Sequence, residues 1–183
     1  MLLGREFYAR KTLVVAKDLL GRVLVHVDEG VRRAGRIVET EAYIGPHDLA
    51  CHASKGRTAR TDVMFGHPGH AYVYLIYGMY DCFNVVTERE GYPSAVLVRA
   101  LAPLEGCVGK TDGPGKLCRA LHVTRAQNRF DLTDPASSLT IEEGTPVSPR
   151  KIARGPRIGV DYAGDWAGKE LRFWVRQDPH VSR

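Results

Sequence analysis

The sequence predicts an α+β fold built on an antiparallel sheet, and three observations carry that prediction. Apolar residues alternate with period two over several short segments, glycine-containing turns join them, and only two stretches carry helical spacing. The order is mixed rather than a strict strand–helix alternation, which disfavours a doubly wound sheet. No repeat, low-complexity tract or linker divides the chain, so residues 1–183 read as one domain. With 44% hydrophobic and 26% charged residues, a chain of 183 residues can bury a core without disulfide or metal staples.

The elements follow in order. Residues 12–20 (TLVVAKDLL) have helical apolar spacing, with Thr12 as candidate cap and Gly21 as stop. Residues 22–28 (RVLVHVD) read as a strand and Glu29-Gly30 as a turn, and the chain returns over residues 33–43. On that return strand the two-residue period puts Ile37, Glu39, Glu41 and Tyr43 on one face and Val38, Thr40 and Ala42 on the other. Residues 44–69 look like loop. Residues 71–77 (AYVYLIY), 82–87 (CFNVVT) and 94–101 (SAVLVRAL) are predicted strands, with Gly78 marking the first turn. Gly113-Pro114-Gly115 opens a helix over residues 116–122, and a basic stretch, 150–157, precedes a last strand at 170–176.

Charge and cysteine usage narrow the function. Lys and Arg number 26 against 21 acids, a net charge of +5, whose sign suits a polyanionic partner or serves solubility alone. No apolar run approaches the ~20 residues of a membrane helix, and the start, MLLGREFYARK, is too charged for a signal peptide. Cys51, Cys82, Cys107 and Cys118 are widely spaced with no C-x-x-C pair. That gives no support to zinc-ribbon, redox or haem motifs and suits reduced thiols in the cytoplasm.

Tyr72, Tyr74, Tyr77 and Tyr80 fall within nine residues. They suit a half-buried sheet face, or a surface on which bases stack. A hairpin tip bearing Tyr77 beside Gly78 also has the form of a wedge that enters a groove. Basic residues gather at Lys55, Arg57 and Arg60, around the Gly-Pro-Gly helix start (Lys110, Lys116, Arg119, Arg125, Arg129), and at Arg150, Lys151, Arg154 and Arg157. A helix start exposes unpaired N–H groups, and Lys116 adds charge there for a phosphate. Glu39 and Glu41 are candidates for general acid or base, for metal ligands, or for a solvated edge. Asp48, Asp62, Asp81, His52 and His67 show no spacing that singles out a metal cage.

Longer motifs carry a resemblance. RIVETEAYIGPHDLACH, MFGHPGHAYVYLIYGMY, FNVV, VLVRALAPLEG, GPGKLCRAL, RIGVDYAGDWAGKELRFWV and the closing DPHVS together resemble the alkyladenine (3-methyladenine) DNA glycosylase family over nearly the whole chain. The resemblance implies a compact α+β domain with a curved antiparallel sheet, flanking helices and a protruding, DNA-inserting β-hairpin. It implies a monofunctional enzyme of base excision repair that flips alkylated purines from duplex DNA and hydrolyses the N-glycosidic bond, leaving an abasic site. The substrates implied are 3-methyladenine and 7-methylguanine, with hypoxanthine and ethenoadenine as further candidates. Neither metal nor cofactor is implied, and the expected state is a cytoplasmic monomer.

Residue by residue, the resemblance makes Glu41 the general base and Arg99 the side chain that positions the water with it. Ile158 corresponds to a further water contact through its carbonyl. Tyr43, His52 and Tyr74 correspond to base-pocket walls, and Asn84 to a pocket residue crowding the 2-amino group of guanine. Tyr77 corresponds to the intercalating side chain, with Met79 and Tyr80 beside it. Arg57, Arg60 and Lys116 are expected on DNA. The segment 106–113 is shorter than many relatives carry, Thr61-Asp62 stands where an amide is commoner, and Asp81 puts a negative charge beside the hairpin tip. The alternatives are a non-catalytic nucleic-acid-binding module and a metal-dependent nuclease.

Overall fold

The computed structural model describes residues 1–182. Its elements, in chain order, are α1 (Arg5–Tyr8), α2 (Thr12–Asp18), β1 (Val23–Asp28), β2 (Val31–Tyr43), β3 (Ala71–Ile76), β4 (Tyr80–Val86), β5 (Ala95–Glu105), α3 (Pro114–Leu121), β6 (Leu139–Glu142), β7 (Ile152–Gly155) and β8 (Arg172–Val175). The eight strands form one antiparallel sheet in the order β3-β4-β5-β2-β1-β6. On the edge of β2 opposite β5, β1 pairs the first half and β8 the second, with β7 beyond β8. The α+β expectation therefore holds.

One face of the sheet is the main core. Leu19 and Leu20 after α2, and Leu117 and Leu121 of α3, are buried with Ile37, Ala42, Val73, Phe83, Val85, Val96 and Val98. Alternation sends the intervening residues of β3, β4 and β5 to the other face. There Tyr72, Val86 and Ala95 pack with Cys51, Val63 and Met64 of the long 44–69 connection. That connection is loop, as expected, apart from two 3₁₀ turns, His52–Lys55 and Asp62–Phe65.

A pair of bulges corrects the simple alternation expected for β2. Ile37 pairs with Leu101, Glu39 with Ala100, and Thr40 with Val98, so Val38 is extra in β2 and Arg99 is extra in β5. The two insertions lie opposite and cancel, restoring register by Thr40. Their consequence is that Ile37 joins Ala42 in the main core, whereas Val38 packs on the opposite face with Ala100, Ala102, Val175 and Val181. Bulges bend a strand and re-aim side chains, and this pair brings Arg99 to the face that carries Glu39 and Glu41.

Other differences are local. Thr12 begins α2 without capping it through its side chain; the Glu88 carboxylate accepts the Thr12 backbone N–H instead, at 3.1 Å. Helix α3 starts at Pro114, ahead of the expected position, and is followed by His122 in the left-handed conformation. Strands β6 and β7 were not legible because each is four residues long and paired only through distant chain.

Because the core face and the carboxylate face are separate, Phe83→Ala should cost about 3–5 kcal/mol of stability in urea unfolding. The Glu41 titration should stay unmoved in that variant. A shifted titration would mean that the two faces are mechanically coupled.

Candidate active site

The carboxylate face encloses a cavity of about 390 Å³, within the usual range for small-molecule sites. Tyr43, His52, Tyr72, Tyr74, Asn84 and Leu97 are among its walls, and Arg99, Ile158 and Tyr77 also line it. Tyr72 and Tyr74 lie on one face of β3 with ring centres 5.2 Å apart. His52 meets Tyr74 edge-on at 4.6 Å, and its Nδ1 is 2.9 Å from the Tyr72 hydroxyl. Burial, aided by the charges of Arg60 and Lys55, lowers the His52 pKa to about 4, so the ring is neutral at physiological pH. Asn84 donates its amide to the Tyr72 carbonyl at 3.1 Å, which holds the side chain against the wall.

Glu41 lies fully buried one contact behind this surface. Tyr43 donates its hydroxyl to Glu41 Oε2 at 2.8 Å, and the Ile158 backbone N–H donates to Oε1 at 2.8 Å. Arg99 Nη1 is 3.4 Å from the same Oε1. Burial raises the Glu41 pKa above its usual value, and Arg99, the Ile158 N–H, the Tyr43 hydroxyl and Arg157 pull against that rise. The result is a carboxyl group with elevated basicity whose three direct partners line the cavity. Ile158, expected through its carbonyl, reaches Glu41 through its N–H.

A second buried ion pair fixes those partners. Arg157 Nη1 and Nη2 lie 2.6 and 2.8 Å from the two oxygens of Asp48, and Nη1 also donates to the Ala42 carbonyl. Asp48 in turn accepts the N–H groups of Ile44 and Ala50. The Arg157 guanidinium stacks 4.7 Å from the Tyr43 ring centre. This pair ties the loop after β2 to the loop after β7, and so places Ile158 on Glu41. Arg157, which the sequence groups with the basic residues Arg150, Lys151 and Arg154, is thus only 4% exposed. Asp48 and Arg157 were not read as site residues, and nothing local in a sequence links positions so far apart.

The hairpin tip is built to show side chains to solvent. The Met79 N–H closes a turn onto the Ile76 carbonyl at 3.2 Å, with Tyr77 and Gly78 both at positive φ, +53° and +69°. Mirror-image turns of this kind match strand twist, and glycine suits them, but a tyrosine there is strained. Tyr77 is 82% exposed and Met79 63%. Tyr80 packs against Gly115 at the start of α3. Lys116 and Tyr80 line a neighbouring cleft that shares Tyr77, Arg99 and Ile158 with the main cavity.

The remaining basic residues are partly neutralised. Arg60 lies over the Tyr74 ring at 4.9 Å. Arg57 pairs with Asp62 at 2.7 Å, and Arg129 pairs with Asp62 at 3.0 Å, which gives the unusual Asp62 a clamping role. Asp81 has Arg125 as its nearest cation, at 3.9 Å. Among the described residues no three His, Cys, Asp or Glu side chains are grouped to hold a metal ion. No described helix is long and apolar enough to cross a membrane.

An aromatic cleft with the buried carboxyl group of Glu41 one contact behind it is the site that this fold builds. The comparisons name the class. Residues 6–179 match the family model for methylpurine-DNA glycosylase (MPG). A protein named "Putative 3-methyladenine DNA glycosylase" from Myxococcus xanthus (strain DK1622) is 61% identical, covering 99% of this chain and 93% of the relative. Proteins of the same name from Anaeromyxobacter dehalogenans (strain 2CP-1 / ATCC BAA-258) and Legionella pneumophila (strain Corby) are 55% and 52% identical. They cover 100% and 99% of this chain, and 86% and 98% of their own lengths. The chain belongs to the methylpurine-DNA glycosylase family, DNA-repair hydrolases that act on N-glycosyl bonds.

Two outcomes follow for stability. Asp48→Ala leaves Arg157 charged and unpaired in the interior and should cost about 3–5 kcal/mol, with Asp48→Asn costing less because it keeps hydrogen-bond acceptors. Urea melts in which both cost under about 1 kcal/mol would remove the ion pair from this role. For Glu41, the folded pKa lies above the reference value of 4.5, so the native state binds the extra proton. The carboxylate is then silent at and below about pH 4.5 and destabilises increasingly as pH rises through the folded value. Glu41→Gln should therefore gain Tm over the parent between pH 4.5 and 7.5; an equal difference at both would contradict the raised pKa.

Proposed function

We propose that the chain is a monofunctional DNA glycosylase that excises methylated purines from duplex DNA, acting as a monomer in the cytoplasm with Glu41 as its general base. The observation that carries this reading is the position of Glu41, fully buried behind an aromatic cavity whose lining includes its own three partners.

Stacking hides the glycosidic bond in a duplex, so the target nucleotide must be extruded at a cost of a few kcal/mol. Stacking on Tyr43, His52 and Tyr74, at about 1–3 kcal/mol per base, offsets that cost. Tyr77, exposed at the hairpin tip, fills the gap left in the stack, with Met79 and Tyr80 against the neighbouring steps. Arg57, Arg60 and Lys116 meet the phosphates around it. Arg99 makes no hydrogen bond to another described residue, so a small swing of its guanidinium opens Glu41 to a water in the cavity.

Glu41 then takes a proton from that water as its oxygen bonds to the sugar C1′, while the C1′–N bond breaks and its electron pair leaves with the base. A purine methylated at N3 or N7 carries a positive charge before cleavage and leaves neutral, so no strong acid is needed opposite Glu41. The cationic charge of the lesion also favours π walls. That preference is moderated here, because guanidinium groups already stack on Tyr43 and Tyr74.

The test is single-turnover release of 3-methyladenine from duplex DNA in EDTA, comparing the parent with Glu41→Gln. The parent should release the base without nicking the strand. The variant should bind DNA as the parent does and lose at least about a hundredfold in rate, as expected for a general base. Equal binding with no release by either protein would leave a binding module. Strand scission that EDTA abolishes would indicate a nuclease, and a borohydride-trapped adduct would exclude the monofunctional reaction.

A further inference from the structure

Glu39 takes no part in the reaction described above, yet it is as deeply buried as Glu41. Arg172 Nη1 is 3.1 Å from its Oε1, and Arg99 Nε is 3.4 Å from the same atom. The other two contacts come from the far end of the chain. The Ser182 backbone N–H donates to Glu39 Oε2 at 2.7 Å, and the Ser182 hydroxyl donates to Oε1 at 2.9 Å. The preceding residue, Val181, packs with Val38 and Ala100 on the bulged part of the sheet. Val181 is thus docked beside the two bulges, and Ser182 meets the carboxylate that competes with Glu41 for Arg99. Ser182 also lines the cleft that contains Arg99 and Ile158.

Arg99 is the shared element. Its side chain lies 3.4 Å from one oxygen of each carboxylate, and its buried Nε has no hydrogen-bond partner among the described residues. A guanidinium held by charge between two acids, without a committed hydrogen bond, responds to small changes in the charge of either. We propose that Ser182 and Glu39 are positioning residues of the active site: Ser182 quiets the charge of Glu39 and thereby sets how much of Arg99 is left for Glu41. This inference rests on the reading of Glu41 as the base.

The direction of each perturbation follows from electrostatics. Without the Ser182 hydroxyl, Glu39 draws Arg99 more strongly and leaves less of its charge for Glu41, so the Glu41 pKa rises further. Without the Glu39 charge, Arg99 has one carboxylate to serve and the Glu41 pKa falls. The other groups facing Glu41 stay in place: Tyr43 on β2, Tyr74 on β3, Cys82 on β4, Arg172 on β8, and Arg157 and Tyr162 from the loops after β7. A merely structural loss has no reason to move the two variants in opposite directions.

The experiment compares the parent, Ser182→Ala, Ser182→Thr and Glu39→Gln. It follows the Glu41 carboxyl by carbon-13 NMR and single-turnover release of 3-methyladenine between pH 5 and 8, with a thermal melt of each protein. Ser182→Ala should raise the Glu41 midpoint by about half a unit, slowing release roughly threefold on the acid limb. Ser182→Thr should restore it, and Glu39→Gln should lower it by about one unit. Midpoints that match the parent in Ser182→Ala, or that move the same way in Ser182→Ala and Glu39→Gln, overturn the proposal. If Glu39→Gln does not fold, the Ser182→Ala shift and its rescue by threonine decide alone. If the NMR midpoints move oppositely in a parent that releases no base at any pH, the control of Glu41 by Ser182 and Glu39 stands and the proposed function falls.

Discussion

The burial of the Glu41 carboxyl group is the constraint on which the rest of this structure depends. A lone carboxylate there would take up a proton or force the sheet open, because burying an unpaired charge is among the most expensive events in folding. The chain answers with two donors and a charge drawn from three places: a hydroxyl two residues along the same strand, a backbone N–H from a loop more than a hundred residues away, and a guanidinium from the neighbouring strand that acts by charge without a hydrogen bond. Their opposition to desolvation is incomplete, and the pKa stays above its usual value, the direction that the base role proposed for Glu41 calls for.

Each partner needs support of its own. Arg99 faces Glu41 because of a bulge in β5, and a second bulge in β2 keeps the strands in register despite it. The Ile158 N–H arrives because Arg157 is locked to Asp48, an ion pair that also presses a guanidinium on Tyr43. Such pairs add little net stability compared with well-packed apolar groups, but they orient what they hold. Here the orientation is that of two loops over a cavity. Strain is tolerated nearby as well, since Tyr77 occupies a left-handed conformation that glycine would adopt at lower cost.

The site also shows how the fold divides labour between the two faces of one sheet. Apolar side chains under α2 and α3 supply the burial that makes the domain stable, while the opposite face carries tyrosines, an asparagine and two glutamates. The second face can hold strained and charged groups only because the first supplies the cohesion. Arginines serve both purposes there: Arg157 is wholly internal, whereas Arg57 and Arg60 stand at the surface, with Arg57 partly neutralised by Asp62.

Sequence alone determined the features that depend on neighbours in the chain. The two-residue period placed Tyr72 with Tyr74 and Glu39 with Glu41, glycine marked the hairpin turn, and extended motifs carried the family. It could not place Ile37 and Val38 on their proper faces, because a bulge is a property of two paired strands and leaves no mark on one. It grouped Arg157 with its basic neighbours, since only the folded loops reveal Asp48 as its partner. The strand period by itself could not tell Glu39 from Glu41, identical residues two apart on one strand; only the family resemblance singled out Glu41. The tertiary structure separates them by their company: one looks toward an aromatic cavity, while the other is closed off by Arg172 and Ser182. Long-range contacts decide the charge state of buried groups because the local chain supplies too few donors to do so.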